Sequence, residues 1–151
     1  MEIKGGNYMK PTFAKLGLKL DNNIKTIIIN EQEIEVKQYL PINDKLDLIS
    51  TVINLSMDDN NFANPVKVEV YTKLEIIFRY TNLSFTDKQK EDLVKIYDLL
   101  ESNHIFDLII AEIPENEYKY IYESTEKCVK EIYAYSNSVM GVLERLSADY
   151  S

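Results

Sequence analysis

The longest periodic stretch of the chain runs from Glu115 to Ser147, where apolar residues recur at spacings that alternate between three and four. That spacing places them on one face of an α-helix. Pro114 stands directly before the stretch, and Glu117 adds a second acid in its first turn, as is typical of a helix start. We therefore predict one long C-terminal helix and expect the rest of the chain to be built around it.

The predicted helix is as long as the domain itself. Unbroken, it would measure about 50 Å, whereas a compact domain of this length has a diameter of about 40 Å. It therefore either bends, near Asn137-Ser138 or at Gly141, or projects and packs against another chain. A kinked core helix is one interpretation, and a helix that also carries a partner interface is the other.

Tyrosine favours the interface interpretation, because it combines a large apolar area with a polar tip. We predict that the partner-contact face consists of Tyr118, Ile121, Tyr122, Ile132, Tyr133, Tyr135 and Val139.

Two β-rich runs lie near the N-terminus, at Ile24–Ile29 and Glu33–Tyr39, around Asn30-Glu31-Gln32. Alternation of Ile34 and Val36 with charged residues predicts a β-hairpin. A lone hairpin is marginal in water, so we expect its apolar face to lie on the helices or to join another sheet. The preceding segment, residues 10–20, is either an extended lead-in or a brief helix that ends at Gly17.

The residue pattern at the centre of the chain predicts further helices. Asn43 is a plausible N-cap for a helix to Ser56, followed by a polar loop over residues 57–64. Pro65–Tyr80 is ambiguous, because valines alternate as in a strand while later apolar residues are spaced as in a helix. We favour the helix and keep the strand as the alternative.

Two more helices are predicted before Pro114. Thr86 and Gln89 form a capping-box pattern that starts a helix ending near Asn103. Residues 105–113 form a short apolar helix. The predicted fold is therefore α+β and predominantly helical, a single domain over 1–151, with an N-terminal hairpin packed on four to five helices and a long C-terminal helix.

Charge and composition narrow the classes of partner. The net charge is −8, and the acids are dispersed along the sequence, which argues against nonspecific nucleic-acid binding. No apolar run approaches the roughly 20 residues that span a bilayer, and the start of the chain lacks an apolar signal region. With Cys128 as the lone cysteine, no internal disulfide can form, so we expect a reducing cytoplasm or a particle assembled there.

Candidate catalytic residues each have a structural explanation. His104 is the only histidine, which excludes sites that need two histidines, and we expect it in a turn between helices. Counted from Asp58 as an EF-hand loop, Phe62 and Ala63 stand where an oxygen ligand and a glycine are needed. Glu112 and the two acids after Pro114 are explained by the start of the last helix. We expect no enzyme activity, no cofactor and no metal site.

The residue types indicate the kind of genome. Asparagine, isoleucine, lysine and tyrosine are abundant and have AT-rich codons, which indicates an AT-rich bacterial or phage genome. A ribosome-binding site that was read as codons, in frame with the start codon after it, would encode the residues found at positions 4–9. We therefore predict that the natural start is Met9 and that residues 1–8 are a mis-assigned leader.

Three segments, IEVKQYLPINDKLDLI, FRYTNLSFTDKQKEDLVKIYDLL and YSNSVMGVLERLS, together resemble small structural and assembly proteins of tailed phages and prophages of low-GC Gram-positive bacteria. The resemblance implies a virion component or an assembly factor similar to tail-assembly chaperones. No functional residue carries over from it.

We therefore expect a non-enzymatic protein that contacts itself or another phage protein, as a homo-oligomer or as part of a larger assembly. It would act in the host cytoplasm or in the virion, without nucleic-acid or membrane contact. The alternative is an acidic phage inhibitor of a host nucleic-acid-binding defence protein, which needs its acids gathered on one face.

Overall fold

A computed structural model describes residues 9–136 and 138–149, and for residues 136, 139 and 149 it describes the backbone alone. The predicted leader, residues 1–8, lies outside this part. The described chain is α+β and predominantly helical, which confirms the predicted fold class. Its elements are a 3₁₀ turn (Ala14–Leu16), β1 (Ile24–Ile29), β2 (Gln32–Lys37), α1 (Ile42–Ser56), α2 (Pro65–Tyr80), α3 (Asp87–Lys90), α4 (Leu93–Ser102), α5 (Ile105–Ile110), α6 (Glu115–Ser136) and α7 (Val139–Asp149).

The predicted hairpin is present, with β1 and β2 antiparallel and Ile29 opposite Gln32. Asn30 and Glu31 form its two-residue turn, and both have positive φ, 49° and 67°. Such φ values match the right-handed twist of the strands. Ile34 and Val36 face inward and are buried, so one face of the hairpin lies on the helical core as expected.

The ambiguous segment is helix α2, capped by the residue before it. Asn64 Oδ1 accepts hydrogen bonds from the backbone N–H groups of Val66, at 2.9 Å, and Lys67, at 3.3 Å. Pro65 occupies the first turn, where its missing N–H costs nothing. The preference for a helix is confirmed.

The predicted cap of α1 was wrong. The helix begins two residues earlier than expected, at Ile42, with Pro41 in the capping position and no side-chain cap. The Pro41 carbonyl accepts a hydrogen bond from the N–H of Lys45 at 3.0 Å. Asn43 therefore lies inside the first turn and is exposed.

Two helices predicted as continuous are each divided, which accounts for more helices than the four to five expected. The capping box of Thr86 and Gln89 is present. However, Asp92 leaves the helical conformation and its Oδ1 caps α4 by accepting from the N–H of Lys95 at 3.1 Å. The last helix breaks in the same way, because Ser138 Oγ accepts from the N–H of Gly141 at 3.2 Å and starts α7.

α6 ends at Ser136 and α7 begins at Val139, which agrees with one of the two bend positions considered, Asn137-Ser138; Asn137 itself lies outside the described residues. The short apolar helix α5 also ends earlier than predicted, at Ile110 rather than Ile113. The chain then continues through a turn in which the N–H of Ile113 donates to the Ile110 carbonyl at 3.0 Å.

The helix at the centre of the core is α2 rather than the C-terminal helix. Six of its residues are buried, four of them apolar, and they face several sides of the helix. In α6 the buried residues Glu117, Ile121 and Thr125 follow one line at a spacing of four. The expectation that the chain is built around the last helix is therefore corrected. The most completely buried apolar side chains, in α2 and in the elements packed around it, are Val36, Leu40, Leu48, Val52, Leu74, Ile76, Ile77, Tyr80, Phe106, Ile109 and Ile121.

Candidate functional site

The predicted partner-contact face divides along α6. Ile121 is fully buried by its own chain, so it is not available to a partner. Tyr118 and Tyr122 are half-buried and pack against the core. Ile132 is also half-buried. The physical reason is that the line through Glu117, Ile121 and Thr125 turns toward the core, and the tyrosines beside it are partly covered as a result.

The exposed members of that face lie at the end of α6. Tyr133 and Tyr135 are each 51% exposed. The Tyr133 ring meets the edge of Phe62, in the loop after α1, with centroids 5.9 Å apart. The Tyr135 hydroxyl donates to Glu144 Oε1 at 2.8 Å, and this hydrogen bond raises the pKa of Tyr135. The side chain of Val139 lies outside the described part.

Helix α7 turns Gly141 and Arg145 toward the body, and its large apolar residues are exposed. Gly141 is buried and Arg145 is half-buried, and both line a crevice with Asn61 and Tyr135. Four apolar side chains occupy the rest of the helix circumference and are between 39% and 60% exposed. We call them the α7 outer face: Met140, Val142, Leu143 and Leu146.

This orientation is the reverse of an ordinary surface helix, whose apolar stripe faces the core. At 100° per residue, Val142, Leu146, Leu143 and Met140 follow one another round the side opposite Gly141 and Arg145. Each of the four keeps between 39% and 60% of its surface exposed. Val142 and Leu146 belong to the apolar periodicity of residues 115–147, but periodicity alone does not say which side a helix turns to its own body.

A second uncovered apolar surface lies at the other end of the chain. Every residue from 9 to 23 is exposed, and we call this segment the N-terminal arm. Phe13 is 80% exposed, and the leucines that follow it are nearly as open. The arm does contain the brief turn ending at Gly17, which adopts a left-handed conformation with φ of 62°. Ile28 on β1 extends the surface and is 70% exposed.

A buried polar cluster fixes the start of α6. Glu117 Oε1 accepts from Lys45 Nζ at 2.9 Å. Its Oε2 accepts from the Tyr80 hydroxyl at 2.8 Å and from the N–H of Leu40 at 3.2 Å. The Lys45 ammonium also lies 4.3 Å from the centroid of the Tyr39 ring, a cation–π distance.

The members of this cluster are almost completely inaccessible: Lys45 and Glu117 are each 6% exposed and Tyr80 is 1% exposed. Burial raises the pKa of Tyr80, and the hydrogen bond to Glu117 raises it further, so its hydroxyl remains a proton donor. A cluster closed in this way serves to position α6 against α1 and α2.

Sequence reasoning had assigned Glu117 to the helix dipole and had not considered Lys45. A signal was present. Lys45 precedes Leu48, Ile49 and Val52 on the apolar face of α1, and Glu117 shares a face of α6 with Ile121. A charge within each of two apolar faces is the pattern of a buried pair.

The other candidate residues are placed in turns and ion pairs. His104 is exposed and adopts a left-handed conformation with φ of 60° before α5. Asp58 Oδ1 accepts from the N–H groups of Asn60 and Phe62, both at 2.9 Å, so this carboxylate closes a turn. Glu112 lies 3.9 Å from Lys25. Cys128 is half-buried against the core.

Across residues 9–136 and 138–149, no group of three or more His, Cys, Asp or Glu side chains is arranged to hold a metal ion. Over the same residues, no helix has both the length and the apolar character needed to cross a membrane.

Comparisons with protein-family models, with curated proteins and with solved structures find no match for the chain.

Proposed function

We propose that the protein is a non-enzymatic structural or assembly protein of a tailed phage, similar to a tail-assembly chaperone or a virion component, and that it acts through contacts with other proteins. The observation that carries the proposal is the α7 outer face. Together with the sequence resemblance, it favours a protein whose apolar surface is completed by another chain.

The energetics support contact through this face. Fully burying a side chain of this size contributes about 1.5–3 kcal/mol. Covering the four residues of the α7 outer face would therefore contribute several kcal/mol toward association. An amphipathic helix that presents apolar residues at spacings of three and four is a common way to enter a groove on a partner protein.

The inhibitor alternative requires a continuous acidic face. Along the exposed side of α6, acids are instead interleaved with lysines: Glu123, Glu126, Lys127, Lys130 and Glu131. This mixed surface is less suited to imitating a row of phosphates, so we propose only the assembly role.

The test is capture of phage proteins during assembly. A tagged copy is expressed in the bacterium that carries the phage, the lytic cycle is induced, and captured proteins are identified by mass spectrometry. We expect tail or other virion proteins to be captured by the wild type. The double variant Leu143→Glu/Leu146→Glu, which adds two negative charges to the α7 outer face, should lose them.

The matched control is Lys127→Glu, which changes the net charge by the same amount at an exposed position on α6. It should capture the same proteins as the wild type, and circular dichroism should show equal helix content for all three. Normal virion yield from a phage that lacks the gene would contradict the proposal, as would equal capture by both variants.

A further inference from the structure

The edge of β1 that faces away from β2 is free, and it indicates that one partner is a second copy of the chain. This inference deepens the proposed function and rests on it. In the hairpin, the N–H of Gln38 donates to the Asn23 carbonyl at 3.0 Å. Hydrogen-bonded and non-hydrogen-bonded pairs alternate in an antiparallel ladder. Residues 23, 25, 27 and 29 therefore face β2, and Ile24, Thr26 and Ile28 direct their backbone groups away from it.

The other strand confirms this alternation. Thr26 is opposite Glu35, and the backbone of Glu35 also points out of the hairpin. It is occupied there by Asn82: the N–H of Glu35 donates to Asn82 Oδ1 at 2.9 Å, and the N–H of Asn82 donates to the Glu35 carbonyl at 3.3 Å. The β2 edge is thus occupied at Glu35, in the middle of the strand. Among residues 9–136 and 138–149, β2 is the only segment that pairs with β1.

The open edge lacks the usual protection against pairing. Natural edge strands are blunted by proline, bulges or charged side chains. β1 reads Ile-Lys-Thr-Ile-Ile-Ile and carries one charge, Lys25, which lies on the inner face beside Glu112. The outer face of β1 is formed by Ile24, Thr26 and Ile28, all exposed.

This edge is complementary to itself. If two copies of β1 run antiparallel with Thr26 on the two-fold axis, Ile24 lies opposite Ile28 of the partner subunit, and Thr26 lies opposite the partner subunit's Thr26. All outward backbone groups of the three residues then find a partner. The isoleucines lie side by side on one face, which is a favourable cross-strand arrangement, and no like charges are directly opposite.

We propose that two copies associate through β1 in this register and form a continuous antiparallel four-stranded sheet in the order β2, β1, β1 and β2. A closed two-fold contact of this kind uses the same strand on both subunits. It removes the free edge of β1, and the strands at the ends of the new sheet are the two copies of β2, where Glu35 is already bonded to Asn82.

Disulfide trapping in a Cys128→Ser background tests the register. Residues in a hydrogen-bonded pair have Cα atoms about 5.5 Å apart, within the range that a disulfide bridges. We therefore expect Thr26→Cys to form a covalent dimer under mild oxidation. Ile24→Cys should not link to itself, because its two copies lie four positions apart, about 13 Å. A mixture of Ile24→Cys with Ile28→Cys should link.

Two further variants test the same contact without cysteine. Thr26→Pro removes an N–H group that points away from β2, so the hairpin loses none of its own hydrogen bonds. Proline is tolerated at such a position, where the N–H of an edge strand faces solvent. Ile28→Lys places a charge on the paired edge. Both should weaken dimerisation at least tenfold in sedimentation equilibrium. Glu33→Gln, opposite Ile28 and with the same change in charge, should leave it unchanged.

A monomer at high concentration that gives no Thr26→Cys dimer overturns the inference, and so does a dimer that Ile28→Lys leaves intact. A disulfide from Thr26→Cys to Leu18→Cys within one chain would also overturn it, by placing the chain's own N-terminal arm on the edge. A monomer that still captures virion proteins refutes only the dimer. An intact dimer that captures none refutes only the proposed function.

Discussion

Replacing Glu117 by glutamine should destabilise the protein more than any surface substitution. The carboxylate receives three donors, from Lys45, the Tyr80 hydroxyl and the N–H of Leu40. Glutamine offers one acceptor oxygen and one NH2 group that only donates. In either orientation of the amide, the NH2 group therefore faces one of these donors and cannot accept its hydrogen bond. The Lys45 ammonium, with a side chain only 8% exposed, is then left without a counter-charge.

The size of the effect follows from burial. Removing one partner of a buried ion pair costs about 3–5 kcal/mol, because the remaining charge stays out of water. Urea unfolding followed by circular dichroism at 222 nm measures it. With a urea dependence of about 2 kcal/mol per molar, the unfolding midpoint should fall by about 1.5–2.5 M.

Two comparisons separate the buried pair from a general effect of lost charge. Glu123→Gln removes an acid of the same helix that is 66% exposed and 3.8 Å from Lys119, and it should change the free energy of unfolding by less than about 0.5 kcal/mol. Lys45→Met/Glu117→Gln removes both charges and should recover about 2 kcal/mol or more of the loss. A Glu117→Gln variant within about 1 kcal/mol of wild type would refute the reasoning.

Three further substitutions test the local structure. Glu31→Gly relieves a left-handed residue in the hairpin turn and should stabilise by about 1 kcal/mol, raising Tm by about 2–4 °C in calorimetry; an unchanged Tm would contradict it. Asn64→Ala removes the cap of α2 and should cost about 1 kcal/mol in urea unfolding, whereas Asn54→Ala, exposed within α1, should cost less. The pKa of Tyr80 is raised in the folded state. The contribution of Tyr80 to the free energy of unfolding is therefore complete below about pH 10, and it is lost above that pH as the Tyr80 hydroxyl ionises in the unfolded chain. Between pH 10 and 11.5, Tyr80→Phe should therefore lose stability less steeply than wild type in urea unfolding at each pH, and equal slopes would count against this.

Local signals in the sequence were sufficient for most elements. Pro65 marked the start of the run that forms α2, and the Thr86 capping box identified the start of α3. Alternation at Ile34 and Val36 identified the inner face of the hairpin. Each of these depends on residues within a few positions of one another, so the sequence carries the information directly.

Features that depend on distant parts of the chain were not predictable in the same way. The division between α3 and α4 is a local exception, because there Asp92 acts as a cap on Lys95 in competition with the continuous helix. The burial of Glu117 depends on Lys45, which lies 72 positions earlier. For the candidate site, tyrosine content pointed to α6, but which tyrosines are covered is decided by the direction in which Ile121 faces.

That long separation has a consequence for synthesis on the ribosome. A nascent chain that has emerged only as far as Pro114 contains the lysine of the buried pair but not its carboxylate. The ammonium must stay hydrated until Glu117 leaves the exit tunnel, so the first helices and the hairpin cannot close around it earlier. Completion of the core is therefore coupled to the arrival of α6, and the α7 outer face follows it out of the tunnel within a few seconds at bacterial elongation rates, about 5–20 residues per second.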